Sequence, residues 1–267
     1  MKIRANGITM NYELTGEGDC LVLVHGAGDN LRMWYGQAPV FAQEYRVLTY
    51  DVRGHGETEL PESTVDMPLL AVDQRALLRA LGIESAFVLG YSMGGRIALQ
   101  LALDEPSMVR ALVLASSGVG LGQRPPGADE RRRRLIEMLE RGDLEAVSEQ
   151  MTATSFSPGL KERDPALFER YRSIKLANNA QSFARVWGAL MQSPPPDVSR
   201  LACPVLIVAG ENDAFMSLEM ARLTQAAIPG SRLEVLPAGH AAALEAPDEF
   251  NRIVLDFLAG VRRKESV

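Results

Sequence analysis

The sequence predicts an α/β fold built on a mostly parallel sheet with helices over both faces. Three observations carry this. Short apolar runs recur along the chain, they alternate with segments of helical period, and they lack the polar alternation of strands that face water on one side.

Taken in order, residues 2–5 and 8–14 flank an Asn6-Gly7 turn and read as a hairpin. Strand-like runs follow at 21–24, 46–50, 86–89, 111–115, 205–209 and 233–236. Between them, Leu69, Leu70, Val72, Ala76, Leu77 and Leu81 form a helical stripe that ends at Gly82. Ile97, Ala98, Leu101 and Ala102 form a second, stopped by Pro106, and Phe250, Ile253, Val254 and Phe257 form the last. The alternation lapses only between about Gly118 and Arg200. Charged helical pieces and the joints Pro125-Pro126 and Pro194-Pro195-Pro196 occupy that stretch, so it reads as a helical insertion between two sheet strands.

Composition narrows the function classes. A chain of 267 residues, 46% hydrophobic, has enough material for one substantial core with an insertion. A net charge of −6 argues against nucleic acid as a partner. No apolar run approaches the roughly 20 residues that span a bilayer, which argues against a membrane partner, and the polar start lacks a signal-peptide core. Cys20 and Cys203 show no sign of pairing, so a reducing cytoplasm is the simplest setting.

The chemistry centres on Gly90-Tyr91-Ser92-Met93-Gly94, a G-x-S-x-G pentapeptide between a strand-like and a helix-like run. A serine on so sharp a turn leaves no room for side chains two residues away, hence the glycines. The nucleophile needs a base. Of three histidines, His25 and His55 precede the serine and read as buried, hydrogen-bonded loop residues. His240 follows the strand at 233–236, at the carboxyl edge of the sheet, and is the expected base. The orienting acid should lie between Ser92 and His240. Asp213, after the strand at 205–209, is the candidate, with Glu211 as the alternative. The usual other location is closed, because Ser116-Ser117-Gly118 follows the preceding strand. Backbone N–H groups of Met93 and of Ala27, in His25-Gly26-Ala27-Gly28, are the expected oxyanion donors.

These motifs, with Asp51-Val52-Arg53-Gly54-His55-Gly56, Gly210-Glu211-Asn212-Asp213 and Gly239-His240, resemble the α/β-hydrolase superfamily over nearly the whole chain. The resemblance implies an eight-stranded sheet, a core of residues 1–117 and 201–267, and a helical cap at 118–200 over the active site. It implies a serine hydrolase needing no metal or organic cofactor, and it looks equally like carboxylesterases, enol-lactonases, C–C hydrolases and the menaquinone-pathway lyases. Serine at the nucleophile position separates it from haloalkane dehalogenases and epoxide hydrolases, which resemble it but carry aspartate there.

Within the insertion, most of Met151, Phe156, Phe168, Tyr171, Phe183, Trp187 and Met191 should pack helices together. Trp34, Tyr91, Phe156, Phe183, Trp187 and Phe215 are taken as the substrate-facing set, pointing to a small or medium, largely apolar ester or lactone. Arg131-Arg132-Arg133-Arg134 has acidic partners at helical spacing and reads as a solvated face. Arg96 reads as a packing or ion-pair residue. Two alternatives stay open: a lyase or C–C hydrolase on an anionic dicarbonyl compound that depends on Arg96 or an insertion arginine, and a ligand sensor on the same fold. Oligomeric state, monomer or dimer, is left open.

Overall fold

A computed structural model describes residues 1–62, 64–122 and 127–265; the Pro125-Pro126 joint lies outside the described residues. Eight strands form one sheet: β1 (Lys2–Ala5), β2 (Ile8–Thr15), β3 (Cys20–Val24), β4 (Arg46–Tyr50), β5 (Ala86–Tyr91), β6 (Val109–Ala115), β7 (Val205–Gly210) and β8 (Arg232–Leu236). Their spatial order is β1-β2-β4-β3-β5-β6-β7-β8. The hairpin pairs antiparallel with itself and with β4, and every later pairing is parallel. The α/β expectation therefore holds, with strand starts and ends shifted by one or two residues. One strand departs in character. β8 reads as a buried run, yet it closes the sheet as an edge strand and leaves Val235 exposed.

Helices cover both faces: α1 (Ala38–Phe41), α2 (Met67–Ala80) and α3 (Met93–Asp104), then α4 (Ala128–Glu140), α5 (Leu144–Ser155), α6 (Leu160–Arg163), α7 (Pro165–Leu176) and α8 (Ala180–Gln192) between β6 and β7, and finally α9 (Leu218–Ala227), α10 (Ala242–Glu245) and α11 (Pro247–Glu265). Period-two geometry splits the buried strand residues. Val22, Val24, Val88 and Leu112 face α2 and α3, whereas Leu21, Leu23, Phe87 and Val113 face α11. A third apolar cluster joins α4, α5 and α8 through Leu135, Leu139, Val147, Phe183 and Trp187. Among the described residues, no helix is long and apolar enough to cross a membrane.

The order places β3 between β4 and β5, so the chain leaves β3 toward one side for β4 and returns on the other for β5. The crevice at the carboxyl ends of β3 and β5 is the switch point where open α/β sheets bind ligands. His25-Gly26-Ala27 leaves β3 there, and Ser92 leaves β5.

Candidate active site

Ser92 sits between β5 and α3 with φ 51° and ψ −111°, in the left-handed region that a non-glycine residue occupies only under constraint. The constraints are visible. Its N–H donates to the Ala115 carbonyl at 2.9 Å, and Ser117 Oγ donates to its carbonyl at 2.7 Å. A Cβ on Gly90 would meet the Gly94 carbonyl oxygen, and one on Gly94 would meet that of Val24. The glycines thus let α3 press against the end of β3, which brings the Ala27 loop beside the serine.

The loops after β7 and β8 are stitched together by backbone bonds. Glu211 N–H donates to Leu236 O at 2.8 Å, and Asn212 N–H to Ala238 O at 2.9 Å. Gly210 permits this approach, since a Cβ there would strike the Ala238 and Gly239 carbonyls, while Gly239 leaves room for the Phe156–Ser157 backbone. His240 is held further by Ala241 N–H on Ser155 O (2.7 Å) and by Gly239 N–H on Glu245 Oε2 (2.8 Å).

This brings the three side chains into line. His240 Nδ1 lies 2.7 Å from Asp213 Oδ2, and His240 Nε2 lies 3.0 Å from Ser92 Oγ. The other Asp213 oxygen accepts from Phe215 N–H and Met216 N–H, each at 2.8 Å. A carboxylate only accepts, so Nδ1 carries the ring proton and Nε2 is left to accept from the serine. Glu211 is exposed and takes no part. His25 and His55 are occupied elsewhere. His25 donates to Gly26 O (2.8 Å) and accepts from Val52 N–H (2.9 Å); His55 accepts from Gly28 N–H (3.1 Å) and donates to Arg53 O (3.3 Å). Burial pushes both imidazoles down, His55 to about 3, so they stay neutral.

Two adjoining cavity lobes of about 100 and about 50 Å³ open at this line, and both are walled by Ser92, His240, Trp187, Phe215, Leu190 and Arg132. The outer lobe runs toward Met93, Arg96, Met216 and Met220; the inner one toward Ala27, Asp29, Tyr91, Tyr171 and Lys175.

The likeness to known proteins follows the same lines. A family model described as alpha/beta hydrolase fold matches residues 19–247. The chain belongs to the α/β-hydrolase fold family. It is 30% identical over 255 residues to a 3-oxoadipate enol-lactonase of Acinetobacter baylyi, covering 94% of each chain. Among solved structures, an enol-lactonase from Burkholderia xenovorans LB400 superposes with TM-score 0.90 at 26% identity, over 97% of this chain and 100% of that one. A malate-bound thermophilic esterase from Thermogutta terrifontis superposes with TM-score 0.88 at 28% identity, over 98% of both.

Against this α/β-hydrolase frame, the six residues taken as substrate-facing divide evenly. Tyr91, Trp187 and Phe215 line the lobes, and the Phe215 ring packs 4.8 Å from the His240 ring. Trp34, Phe156 and Phe183 line neither. The short turn Leu31–Gly36 carries Trp34 into the core on the α11 face. Phe156 packs edge-on against Tyr171 at 5.4 Å, and its backbone buttresses Gly239. Phe183 covers Gly28 and stacks on Trp187 at 5.2 Å.

Sequence reasoning also missed residues. Arg131, Arg133 and Arg134 are solvated as expected, but Arg132 lines both lobes. It falls on the stripe Ala128, Arg132, Leu135, Leu139, spaced four, three and four, and a helical wheel would have shown it among apolar residues. Lys175 likewise falls on the α7 stripe of Phe168 and Tyr171.

Proposed function

We propose that this chain is a serine hydrolase cleaving a small carboxylic ester or lactone, with residues 118–200 acting as a cap that walls the site. Ser92 Oγ attacks the substrate carbonyl carbon while His240 Nε2 takes its proton. The C=O pair moves to oxygen, and the N–H groups of Ala27 and Met93 hold that oxyanion. Collapse breaks the ester C–O bond, and His240 returns the proton to the departing oxygen, leaving an acyl-serine. Water, deprotonated by the same imidazole, then hydrolyses the acyl-serine. Asp213 keeps the imidazole in the accepting tautomer throughout. These steps use no metal and no organic cofactor.

The observation that carries the reading is the continuous line Ser92 Oγ, His240, Asp213, with 3.0 and 2.7 Å steps. Relatives named enol-lactonase and esterase support it. The test is intact mass after a fluorophosphonate probe, beside turnover on a panel of esters and lactones. One adduct on the wild type, none on Ser92→Ala, and a loss of about 10⁶ in turnover are expected. Sustained hydrolysis by Ser92→Ala would overturn the assignment. Labelling without multiple turnover would point instead to a ligand sensor.

A second reading has an observation of its own. Among the described residues, the outer lobe is walled by two guanidinium groups, Arg96 (which also donates to Pro194 O at 2.8 Å) and Arg132, and by no carboxylate. That setting favours a substrate bearing a carboxylate, as a C–C hydrolase or lyase on an anionic dicarbonyl compound requires. A monoester of a dicarboxylic acid compared with its neutral diester, before and after Arg132→Met, separates the two.

A further inference from the structure

The inner lobe contains an ion pair that hydrolysis does not use. Lys175 Nζ lies 2.6 Å from Asp29 Oδ1, and both side chains are almost wholly buried, at 2% and 1% exposure. Tyr171 donates its hydroxyl proton to Asp29 Oδ2 at 3.3 Å, and the Tyr91 and Tyr171 hydroxyl oxygens stand 3.4 Å apart. Lys175 Nζ also sits 4.1 Å from the centre of the Tyr171 ring. Burial drives both phenols well above their usual range, so they remain protonated.

Such a pair is a poor device for stability. Removing two charges from water costs several kcal/mol per ion, and well-packed apolar residues often serve as well or better. The joint it spans is already made by other bonds. Asn30 Nδ2 donates to Ile174 O at 2.8 Å, and Asn178 Nδ2 donates to Gly28 O at 2.9 Å, tying the same loop to the same helix end. The pair instead stands in the wall of the lobe that holds Ser92 and His240.

Its donor arithmetic is informative. An ammonium has three N–H donors. One is given to Asp29, and the Tyr171 ring faces the cation from a second side. Tyr171 gives its proton to Asp29, so Tyr91 is the donor in the Tyr91–Tyr171 contact. The inner lobe therefore presents a lysine N–H whose charge is balanced by its own carboxylate. That suits a neutral oxygen acceptor, whereas a carboxylate is better served in the outer lobe, where Arg96 joins the Arg132 that both lobes share.

We propose that Lys175, held by Asp29, is a specificity-determining residue that donates a hydrogen bond to a neutral carbonyl or hydroxyl oxygen on the short substrate arm in the inner lobe. This rests on the ester-hydrolase reading and replaces a largely apolar substrate with one whose short arm is oxygenated. A lobe of about 50 Å³ limits that arm to a few atoms. A site built to bond such an oxygen discriminates strongly against the analogue lacking it, because the buried donor is then left without its partner.

The test compares kcat/KM for ethyl 4-oxopentanoate, ethyl pentanoate and the monoethyl ester of butanedioic acid. The wild type should prefer the oxo ester over the plain one by roughly 10–100-fold, the range of a hydrogen bond to a charged group. In Asp29→Asn/Lys175→Met, which removes both charges together, that ratio should fall to near one. A purely structural role would lower both substrates alike and leave the ratio intact, and that result would overturn the proposal. So would a wild-type ratio near one, or a preference for the butanedioate ester that disappears with Lys175. Where the double variant does not fold, the same ratio is measured in Lys175→Gln, whose weaker donor should lower it, and an unchanged ratio there counts against the proposal. Absence of all ester turnover together with absence of fluorophosphonate labelling would instead remove the underlying hydrolase reading.

Discussion

Asp213 divides its two carboxylate oxygens between different tasks: Oδ2 stands 2.7 Å from His240 Nδ1, while Oδ1 takes the N–H groups of Phe215 and Met216. The division makes Asp213→Asn an informative change. The two backbone donors would keep the amide oxygen on their side, which turns the NH₂ toward His240. Nδ1 would then have to accept, the ring proton would move to Nε2, and Nε2 could no longer take a proton from Ser92. A fall of about 10⁴ in kcat is expected without loss of folding, measured as turnover beside the thermal unfolding midpoint. A fall below tenfold would show that the histidine is oriented by something else.

Ser92 carries a second consequence in its backbone. At φ 51° and ψ −111° a side chain is strained, by about 1–3 kcal/mol, and glycine is not. Ser92→Gly and Ser92→Ala both remove the hydroxyl, but only the first relieves the strain. Allowing for the greater freedom glycine has in the unfolded chain, Ser92→Gly should be about 1 kcal/mol more stable than Ser92→Ala. Urea unfolding of the two inactive variants measures the difference. Equal stability would mean that the backbone is relaxed at this turn.

How much was legible follows from what each residue has to satisfy. The nucleophile turn was readable because its geometry excludes a Cβ at Gly90 and Gly94, and that exclusion is written directly as glycine. Central strands such as β3 and β7 were readable because burial on both faces demands an unbroken apolar run. His240 and Asp213 followed from chain order along that sheet. The substrate wall was not readable in this way. Arg132 and Lys175 look like solvated helix residues until the helices are set in place, and the Asp29–Lys175 pair joins positions whose meeting no local pattern encodes. Trp34 misled for the converse reason. It lies soon after the Ala27 loop in sequence, but one short turn carries it into the core cluster on the α11 face, where it lines neither lobe.

Trp34 and Trp187 should therefore respond differently to the same change. Trp34 is buried among core residues such as Met33 and Phe41, and its indole N–H has no hydrogen-bond partner among the described side chains. Trp34→Ala should cost about 3–5 kcal/mol of stability while leaving the ranking of substrates as it was. Trp187 lines both lobes, so Trp187→Ala should change kcat/KM unequally across an ester panel. Profiles of both variants, measured below their unfolding midpoints, check the contrast. A reordered profile in Trp34→Ala would place it back at the site.

The neutral, buried His55 sets an acid limit on the fold. Its pKa is pushed from 6.5 to about 3, chiefly by burial and secondarily by the neighbouring His25. Between those values the unfolded chain binds a proton that the folded chain refuses. The stability contributed by holding the ring neutral is thus complete above pH 6.5 and is lost progressively as pH falls toward about 3. Each pH unit in that window removes up to about 1.4 kcal/mol for this one group. His55→Gln should start weaker at pH 7, having disturbed the acceptor for Gly28 N–H, yet lose less on acidification. Titrating groups away from this pair are common to both proteins, so subtracting the two urea-derived stability curves between pH 7 and pH 4 leaves the contribution of His55 together with its effect on the adjacent His25. Parallel curves would mean that the ring is already protonated in the folded state.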